Sequence, residues 1–301
     1  MKHMHGVVIP IITPLTAEDT IDTESLKSLT GYLIKNGVDC LYPCGSTGEM
    51  VYLSDEERML VTETVVRAAA GRVPVFAQVG AANTRSTIKL AQHAAKCGAD
   101  GIGVVTPWYF RLSDEALIDF YCEVSASVPE DFSVYIYSIP QNAVNDVTAE
   151  CAARIAGKCP NVVGIKYSYP DMTRLQQLMT VKDGAFDVLV GPDHLYEAVV
   201  AVGGKGVISG NAQIIPAHYA AVREAMAGND WETATRAQRR TNMLNAILCA
   251  KNNIGCYKTV LKEMGVIATS KMRKPMEEVS PADAAALMMA LKAARYQEVL
   301  I

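Results

Sequence analysis

The chain has 301 residues, half of them hydrophobic, which is enough for one large core. Its net charge of −4 comes from interspersed acids and bases, so neither a basic surface for nucleic acid nor an acidic tail is indicated. No apolar run has the length of a membrane-spanning helix, and the polar residues 1–5 with the short run Val7–Ile12 do not make a signal peptide. We therefore predict a cytoplasmic protein that binds neither nucleic acid nor membrane.

Short apolar runs alternate with amphipathic stretches along most of the chain. Eight runs have the character of buried strands: Val7–Ile12, Cys40–Pro43, Val73–Val79, Gly101–Val105, Val134–Tyr137, Val162–Ile165, Val188–Val190 and Val207–Ile208. The stretches between them have helical patterns: Thr23–Lys35, Asp55–Ala70, Thr84–Cys97, Asp114–Ser127, Thr148–Gly157, Met172–Val181 and Asp193–Val202. Such alternation predicts a parallel sheet, because each crossover helix returns the chain to the same edge.

Eight strand–helix units can close into a (β/α)₈ TIM barrel, which is the fold we predict. The alternative is an open doubly wound sheet, which would need a glycine-rich phosphate loop where this chain has Thr13–Thr16. After Pro216 no further strand is indicated. The remaining helical patterns are Pro216–Ala227, Trp231–Ala250, Cys256–Met264 and Ser280–Val299. We thus expect a barrel domain over residues 1–225 and a C-terminal helical region over residues 226–301.

Cysteine and histidine usage gives little sign of a metal. None of the eight cysteines form a Cys-x-x-Cys pair, and their spacings match no zinc or iron–sulfur pattern, so we interpret them as buried reduced thiols. Cys44 is the one to follow, because it directly precedes a glycine-rich segment. His3 and His5 are expected to be disordered terminal residues.

Lys166 is the most informative residue, because it ends the apolar run Asn161–Lys166. An ammonium at the tip of a buried strand is poorly solvated, and desolvation lowers the pKa of a lysine. A neutral amine can condense with a ketone to form a Schiff base. Taken alone, a lysine at a strand end is more often a solvated cap than a catalytic group.

Two further polar groups follow predicted strands. Gly45–Glu49 combines glycines, two hydroxyls and free N–H groups, which suit a carboxylate, although an ordinary capped turn has the same composition. Within it, Glu49 is interpreted as a structural tie to backbone N–H groups in preference to a general acid. Tyr137, in Tyr137–Pro140, can shuttle a proton or serve as a wall aromatic. Ser168 should point the same way as Lys166, because side chains alternate along a strand.

Together these elements resemble the dihydrodipicolinate synthase / N-acetylneuraminate lyase family of class I aldolases. The first signature is Gly45–Glu49, and the second begins with Tyr137–Pro140 and ends with Gly164–Lys166. Val105–Tyr109 also fits that family in order and separation. The resemblance runs from about Gly6 to the C-terminus.

The resemblance implies a TIM barrel, usually a homotetramer, that needs no metal or organic cofactor. Lys166 would form a Schiff base with pyruvate or another 2-oxo acid, so that a carbanion at C3 becomes a neutral enamine. Ser46 and Thr47 would hold the substrate carboxylate, and Tyr137 would transfer protons. Tyr109 would reach into the site of a neighbouring subunit.

The amino-acid sequence of several segments resembles the lyase branch more closely than the synthase branch. Ser168 stands where the lyases have a threonine that touches the sugar, and Gly191 and Asp193 resemble residues that bind sugar hydroxyls. Ile208, at the end of the eighth strand, is grouped with the substrate-binding residues. In the synthases an arginine two residues beyond the motif proline binds the aldehyde's carboxylate, and Asn142 occupies that position here. An amide lacks the charge and the fork of a guanidinium.

Three departures from the lyases stand beside these similarities. His194 replaces a glutamate, Gly210 replaces a serine, and the glycine expected soon after Pro140 is missing. His194 either binds an acidic or hydroxylated group at the barrel mouth or caps the following helix.

The prediction is a pyruvate-dependent class I aldolase, a carbon–carbon lyase that cleaves or forms a 2-oxo-3-deoxy sugar acid such as N-acetylneuraminate. The alternatives are a dihydrodipicolinate synthase, or a dehydratase or deaminase of a 2-oxo acid that uses the same imine. A non-catalytic sensor on the same barrel is a third possibility, and the intact lysine, tyrosine and hydroxyl set counts against it.

Overall fold

A computed structural model of the protein describes residues 1–249 and 253–299. Within these residues eight strands form one sheet: β1 (Gly6–Ile9), β2 (Cys40–Leu41), β3 (Phe76–Gln78), β4 (Gly101–Val105), β5 (Ser133–Ser138), β6 (Val162–Tyr167), β7 (Asp187–Val190) and β8 (Gly206–Ile208). The strand order is β2-β1-β8-β7-β6-β5-β4-β3. Parallel pairing runs from β1 through β8 and onward to β3.

The pairing of the first strand with the last decides the fold class. Gly6, Val7 and Val8 pair in register with Gly206, Val207 and Ile208. In a (β/α)₈ barrel, neighbouring strands are consecutive in sequence and the first strand pairs with the last. In a doubly wound sheet, by contrast, the strand order reverses at a switch point. The predicted TIM barrel with a C-terminal helical region is confirmed.

Helices alternate with the strands and then continue alone. They are α1 (Thr23–Lys35), α2 (Asp55–Ala69), α3 (Thr84–Lys96), α4 (Asp114–Ala126), α5 (Pro140–Ala143), α6 (Ala149–Lys158), α7 (Met172–Met179), α8 (Tyr196–Ala201), α9 (Pro216–Ala227), α10 (Trp231–Leu248), α11 (Asn253–Glu263) and α12 (Pro281–Ala293). In this described part of the chain, no helix has the length and hydrophobicity needed to span a bilayer.

Local capping explains where many of the helices begin. Ser54 accepts a hydrogen bond from the N–H of Glu57, and the Glu57 carboxylate accepts one from the N–H of Ser54. Thr148 is the N-cap of α6, so that helix starts one residue later than expected. These caps satisfy N–H groups that a helix terminus leaves without an internal partner.

Several predicted boundaries are wrong, for identifiable reasons. The stretch predicted as one helix from Asp193 begins with a 3₁₀ turn at Asp193–Leu195 before α8 starts. The helix predicted over Ser280–Val299 ends at Ala293, and Arg295 has a left-handed φ of 51°. The predicted helix end Ala250 lies outside the described residues.

The described residues group into two compact units. One contains Met1–Val8 and Pro74–Ile208, and the other contains Ile9–Val73 and Ser209–Ile301. The proposed boundary between a barrel domain ending at residue 225 and the helical region falls inside α9 (Pro216–Ala227) and stays a prediction.

The N-terminal residues are ordered, contrary to expectation. The ring of His3 and the hydroxyl of Tyr135 bond to the same oxygen of Asp187, at 2.7 and 2.6 Å. The Tyr135 hydroxyl also accepts from the N–H of Met4 at 2.9 Å. A buried carboxylate at the start of β7 therefore anchors the first residues of the chain, which composition alone does not indicate.

Candidate active site

Lys166 and Tyr137 are brought together by the register of two neighbouring strands. Each is the second-to-last residue of its strand, and their Cα atoms are partners in the β5–β6 ladder. Partners in a parallel ladder point their side chains to the same face of the sheet. The Nζ of Lys166 lies 3.9 Å from the centroid of the Tyr137 ring.

This pair is almost completely shielded from solvent. Lys166 is 4% exposed and Tyr137 is 2% exposed. An ammonium over the face of an aromatic ring is attracted by the ring quadrupole, and the attraction grows when water is excluded. A buried amine against a phenol is a combination that suits both imine formation and proton transfer.

Ser168 and Gly191 pack tightly just beyond the ends of β6 and β7. A Cβ added at Gly191 would lie 2.1 Å from the Oγ and 2.8 Å from the Cβ of Ser168, so glycine alone fits. The N–H of Gly191 donates to the carbonyl of Tyr167 at 2.9 Å. The side-chain amide of Gln141 donates to the carbonyl of Ser168 at 2.7 Å. Of the sequence-predicted substrate-binding residues, these two lie side by side.

Asp193 and His194 lie in the 3₁₀ turn after β7. Asp193 is half-buried and His194 is exposed. Neither this turn nor α8 has a side-chain cap, so His194 does not fill the capping role that the sequence left open. Ile208 is the last residue of β8 and is 2% exposed, where it pairs with Val8.

Tyr109 projects from a loop held by a residue that sequence reasoning missed. It is 80% exposed, has a left-handed φ of 84°, and meets Phe110 edge to face at 4.9 Å. The buried amide of Asn145 donates to the carbonyls of Pro107 and Phe110 at 2.7 and 2.9 Å. Its oxygen accepts from the N–H of Leu112 at 2.8 Å. Nothing in the sequence around Asn145 signals this role.

The Gly45–Glu49 segment forms a one-turn 3₁₀ helix, Ser46–Gly48, in the second compact unit. The carbonyl of Gly48 accepts a hydrogen bond from the Thr13 hydroxyl at 2.8 Å. A Cβ at Gly48 would lie 3.1 Å from a backbone carbonyl oxygen, which explains the glycine. Ser46 and Thr47 are half-buried. Their side chains are therefore partly accessible, although the backbone of the turn is closely packed at Gly48.

Glu49 has the structural role that its position in the turn predicts. Its carboxylate accepts from the N–H of Arg273 at 2.9 Å and forms an ion pair with Lys258, both carboxylate and ammonium being buried. Sequence reasoning missed Lys258. A signal was present, because Lys258 lies three residues before the buried Leu261 and so falls on the apolar face of α11.

The surroundings of Gly210 leave little room for a side chain. A Cβ at Gly210 would lie 3.0 Å from the ring of Tyr257 and 3.3 Å from the Oγ1 of Thr47. The Tyr257 hydroxyl donates to Asn211 at 2.8 Å. Tyr257 therefore fills part of the volume next to Thr47.

Cys44 is not a reactive thiol. It is fully buried, and its Sγ lies 3.4 Å from the carbonyl of Arg58 and 3.7 Å from the Thr62 hydroxyl. Burial raises the pKa of the Cys44 thiol, an effect that the Arg58 charge and the hydrogen bonds only partly offset. A thiol of this kind is a poor nucleophile. The described residues also contain no group of three or more His, Cys, Asp or Glu side chains arranged to hold a metal ion.

The model of the dihydrodipicolinate synthetase family matches residues 3–294. The chain belongs to this family. Its members include 4-hydroxy-tetrahydrodipicolinate synthase of Nitratidesulfovibrio vulgaris, which is 32% identical over 96% of this chain and 98% of its own length. The family consists of carbon–carbon lyases of the class I aldolase type, so this protein is an enzyme of that class.

Two solved structures of similar proteins have nearly the same fold. A prophage protein of the family from E. coli K12, in complex with pyruvate, has a TM-score of 0.92 and 28% identity and covers 97% of this chain and 99% of its own. A catalytic lysine mutant of the sialic acid aldolase of Ruminococcus gnavus has a TM-score of 0.91 and 27% identity, with 98% of both chains covered. The chain is thus similar both to enzymes named as synthases and to an enzyme named as a sialic acid aldolase.

Proposed function

We propose that the protein binds pyruvate, or another 2-oxo acid, as a Schiff base on Lys166. One observation carries this proposal: the buried Lys166 amine lies 3.9 Å from the centroid of the buried Tyr137 ring. Family membership and the similar protein solved with pyruvate support the choice of a 2-oxo acid.

The proposed chemistry balances without an added cofactor. The Lys166 nitrogen bonds to the keto carbon C2, and the carbonyl oxygen leaves as water. Because the protonated imine withdraws electrons, loss of a proton from C3 gives a neutral enamine. The enamine carbon then attacks an aldehyde, or it forms when the C3–C4 bond of a longer acid breaks. Hydrolysis of the imine returns the free amine.

Tyr137, Ser46 and Thr47 have supporting roles in this proposal. Tyr137 transfers protons, for which its place on the neighbouring strand is suited. Ser46 and Thr47 bind the carboxylate of the 2-oxo acid through their hydroxyls and the N–H groups of their turn. Ser168, Gly191, Asp193, His194 and Ile208 line the part of the site that receives the second substrate.

Tyr109 is proposed to complete the site of a neighbouring subunit in a homotetramer. The support is its 80% exposure beside the 72% exposed Phe110. Two adjacent aromatic side chains on a clamped loop are costly to leave in water and are typical of an interface. Removing Tyr109 should therefore affect both assembly and catalysis.

Two reactions remain for the second substrate. The first candidate is the synthase reaction named for the relatives, and identity of 32% over nearly the whole chain favours it. The exposed Asn142 counts against it, because an amide binds a carboxylate less strongly than an arginine does.

The second candidate is cleavage of a 2-oxo-3-deoxy sugar acid such as N-acetylneuraminate. The packed pair Ser168 and Gly191 and the likeness to a sialic acid aldolase favour it. Pyruvate is then a product in place of a substrate. Dehydration or deamination through the same imine would give neither pyruvate release nor a condensation product.

Borohydride trapping tests the Schiff base. The protein is incubated with pyruvate and sodium borohydride and then digested, and the peptides are weighed. We expect a reduced pyruvyl adduct on the Lys166 peptide and none in Lys166→Met. Folded protein without an adduct, or an adduct on another lysine, would reject the proposal.

Product analysis separates the two reactions. Each aldehyde and sugar acid is incubated with the enzyme, and pyruvate consumed or released is measured. Asn142→Arg provides a matched variant, which should raise synthase activity if only the missing guanidinium limits it. If sugar acids release pyruvate, and neither the wild type nor Asn142→Arg condenses pyruvate with an aldehyde, the lyase reaction is supported and the synthase reaction is excluded.

A further inference from the structure

Residues of the C-terminal helical region bind Glu49, which directly follows the glycine-rich turn. Glu49 is 2% exposed and has a left-handed φ of 59° immediately after the Ser46–Gly48 turn. Its carboxylate pairs with the ammonium of Lys258, whose side chain has no exposed surface. The same ammonium donates to the carbonyl of Lys271 at 2.7 Å. A carboxylate buried to this degree stays next to its partner, because separating the two would leave an unpaired charge inside the protein.

Arg273 adds a second connection to the same carboxylate. Its backbone N–H donates to Glu49 at 2.9 Å. Its guanidinium contacts Glu57 at 2.7 Å and Asp19 at 3.3 Å, so the segment is fixed on both sides of the bond to Glu49. Four residues earlier, the hydroxyl of Thr269 donates to the carbonyl of Leu15 at 2.6 Å. Residues 269–273 therefore connect the C-terminal helical region to Glu49 and to Leu15, Asp19 and Glu57.

The residue before Lys258, Tyr257, lies near the other side of the turn. A Cβ added at Gly210 would meet both the ring of Tyr257 and the Oγ1 of Thr47, so the ring and the hydroxyl lie on either side of the same small volume. Two consecutive residues of α11 therefore serve the same loop, Tyr257 beside Thr47 and Lys258 at Glu49. A helix used only for packing needs no buried ammonium at this point.

We propose that Lys258 and Arg273 are positioning residues that fix the Ser46–Thr47 turn, through Glu49, in the geometry that binds a 2-oxo acid carboxylate. They act on binding of the acid, not on the chemistry at the amine. The inference rests on the proposed function, because it assigns the carboxylate to Ser46 and Thr47. It gives the C-terminal helical region a part in substrate recognition.

The test measures borohydride trapping of pyruvate at Lys166 over a range of pyruvate concentrations, together with Tm. Lys258→Met removes the ammonium and leaves Glu49 without its charged partner. We expect the half-saturating pyruvate concentration to rise by about ten- to a hundredfold, since small displacements of positioning groups have effects of this size. The trapping rate at saturating pyruvate should change little.

The double variant Glu49→Gln with Lys258→Met separates positioning from stability. It removes both charges at similar volume, so no unpaired charge stays buried and Tm should return toward that of the wild type. We expect the half-saturating concentration to stay raised, because the ion pair is still missing. If Lys258→Met does not fold, the double variant decides alone.

Arg223→Met is the matched control, because it breaks the ion pair of Arg223 with Asp39, which precedes β2. It should lower Tm without raising the half-saturating concentration. Unchanged half-saturation in the Lys258 variants, or its return together with Tm in the double variant, overturns the inference while trapping at Lys166 still supports the proposed function. Wild-type protein that traps no pyruvate at Lys166 overturns both.

Discussion

Two regions with assigned roles are held in place by different means. Lys166 and Tyr137 are set by the ladder between two adjacent strands, which places the amine over the ring. The turn Ser46–Gly48 is set by long-range bonds, one of which joins Glu49 to a residue 224 positions away. The first arrangement follows from local strand register, and the second depends on the C-terminal region being folded.

The difference has an energetic consequence. Backbone ladder bonds position side chains without burying charge, and they are shared by every residue of the strand. The Glu49–Lys258 pair buries two charges, and breaking one half of such a pair is far more costly than replacing both. Substitutions at the strand pair should therefore affect chemistry first, and substitutions at the turn should affect binding and stability.

The largest effect is expected at the amine itself. Lys166→Met keeps much of the side-chain length but removes the nucleophile, so turnover should fall by at least about a thousandfold. The fold should persist, because an apolar side chain replaces a buried amine. Steady-state assays and circular dichroism check both points, and near-normal turnover by a folded variant would contradict the Schiff base.

Tyr137→Phe separates the ring from the hydroxyl. The aromatic face under the amine is kept, while the proton carrier is lost, so turnover should fall by about a hundredfold. Pyruvate trapping at Lys166 should still occur, only more slowly. A variant that turns over normally would show that Tyr137 acts as a wall aromatic, the interpretation that the sequence left open.

Gly191→Ala tests the packing beside the strand pair. The added methyl would lie 2.1 Å from the Oγ of Ser168, so we expect a loss of about 1–3 kcal/mol in the free energy of unfolding. Gly157→Ala in α6 is the control, because nothing lies within 4 Å of that position. It should stabilise by about 0.5–1 kcal/mol, and equal effects of the two in urea denaturation would refute the packing argument.

The smallest effect is a pH dependence at the turn. Burial lowers the pKa of Lys258 below 10.5, and Glu49 offsets this only partly. Between the folded pKa and 10.5 the unfolded chain binds more protons than the folded one, so the contribution of Lys258 to stability rises with pH in that window. Below the folded pKa it is flat.

Urea denaturation of the wild type and of the double variant Glu49→Gln with Lys258→Met, from pH 7 to pH 10.5, measures this contribution. The difference in the free energy of unfolding should shift in favour of the wild type as pH rises. A difference that is constant or falls would mean that the fold does not lower the pKa of Lys258.

Periodicity predicted the elements well where side-chain pattern and local capping agree. Thr23–Lys35, Gly101–Val105 and Pro216–Ala227 have the bounds that the pattern predicts. Two of the errors at helix ends fall where φ turns positive or a 3₁₀ turn intervenes, at Arg295 and at Asp193. Those features depend on single backbone angles, which periodicity does not encode.

The sequence alone was enough to predict the barrel and the place of Lys166 at a strand end, since both depend on local patterns. It also predicted that Glu49 ties the turn to backbone. Which partners complete each local group was decided only by tertiary structure. Lys258, Arg273 and Asn145 are distant in sequence from the loops they hold, and a hydrogen bond or ion pair between distant residues leaves no periodic trace. Burial of the whole chain selects such partners, because each buried charge or amide must find one.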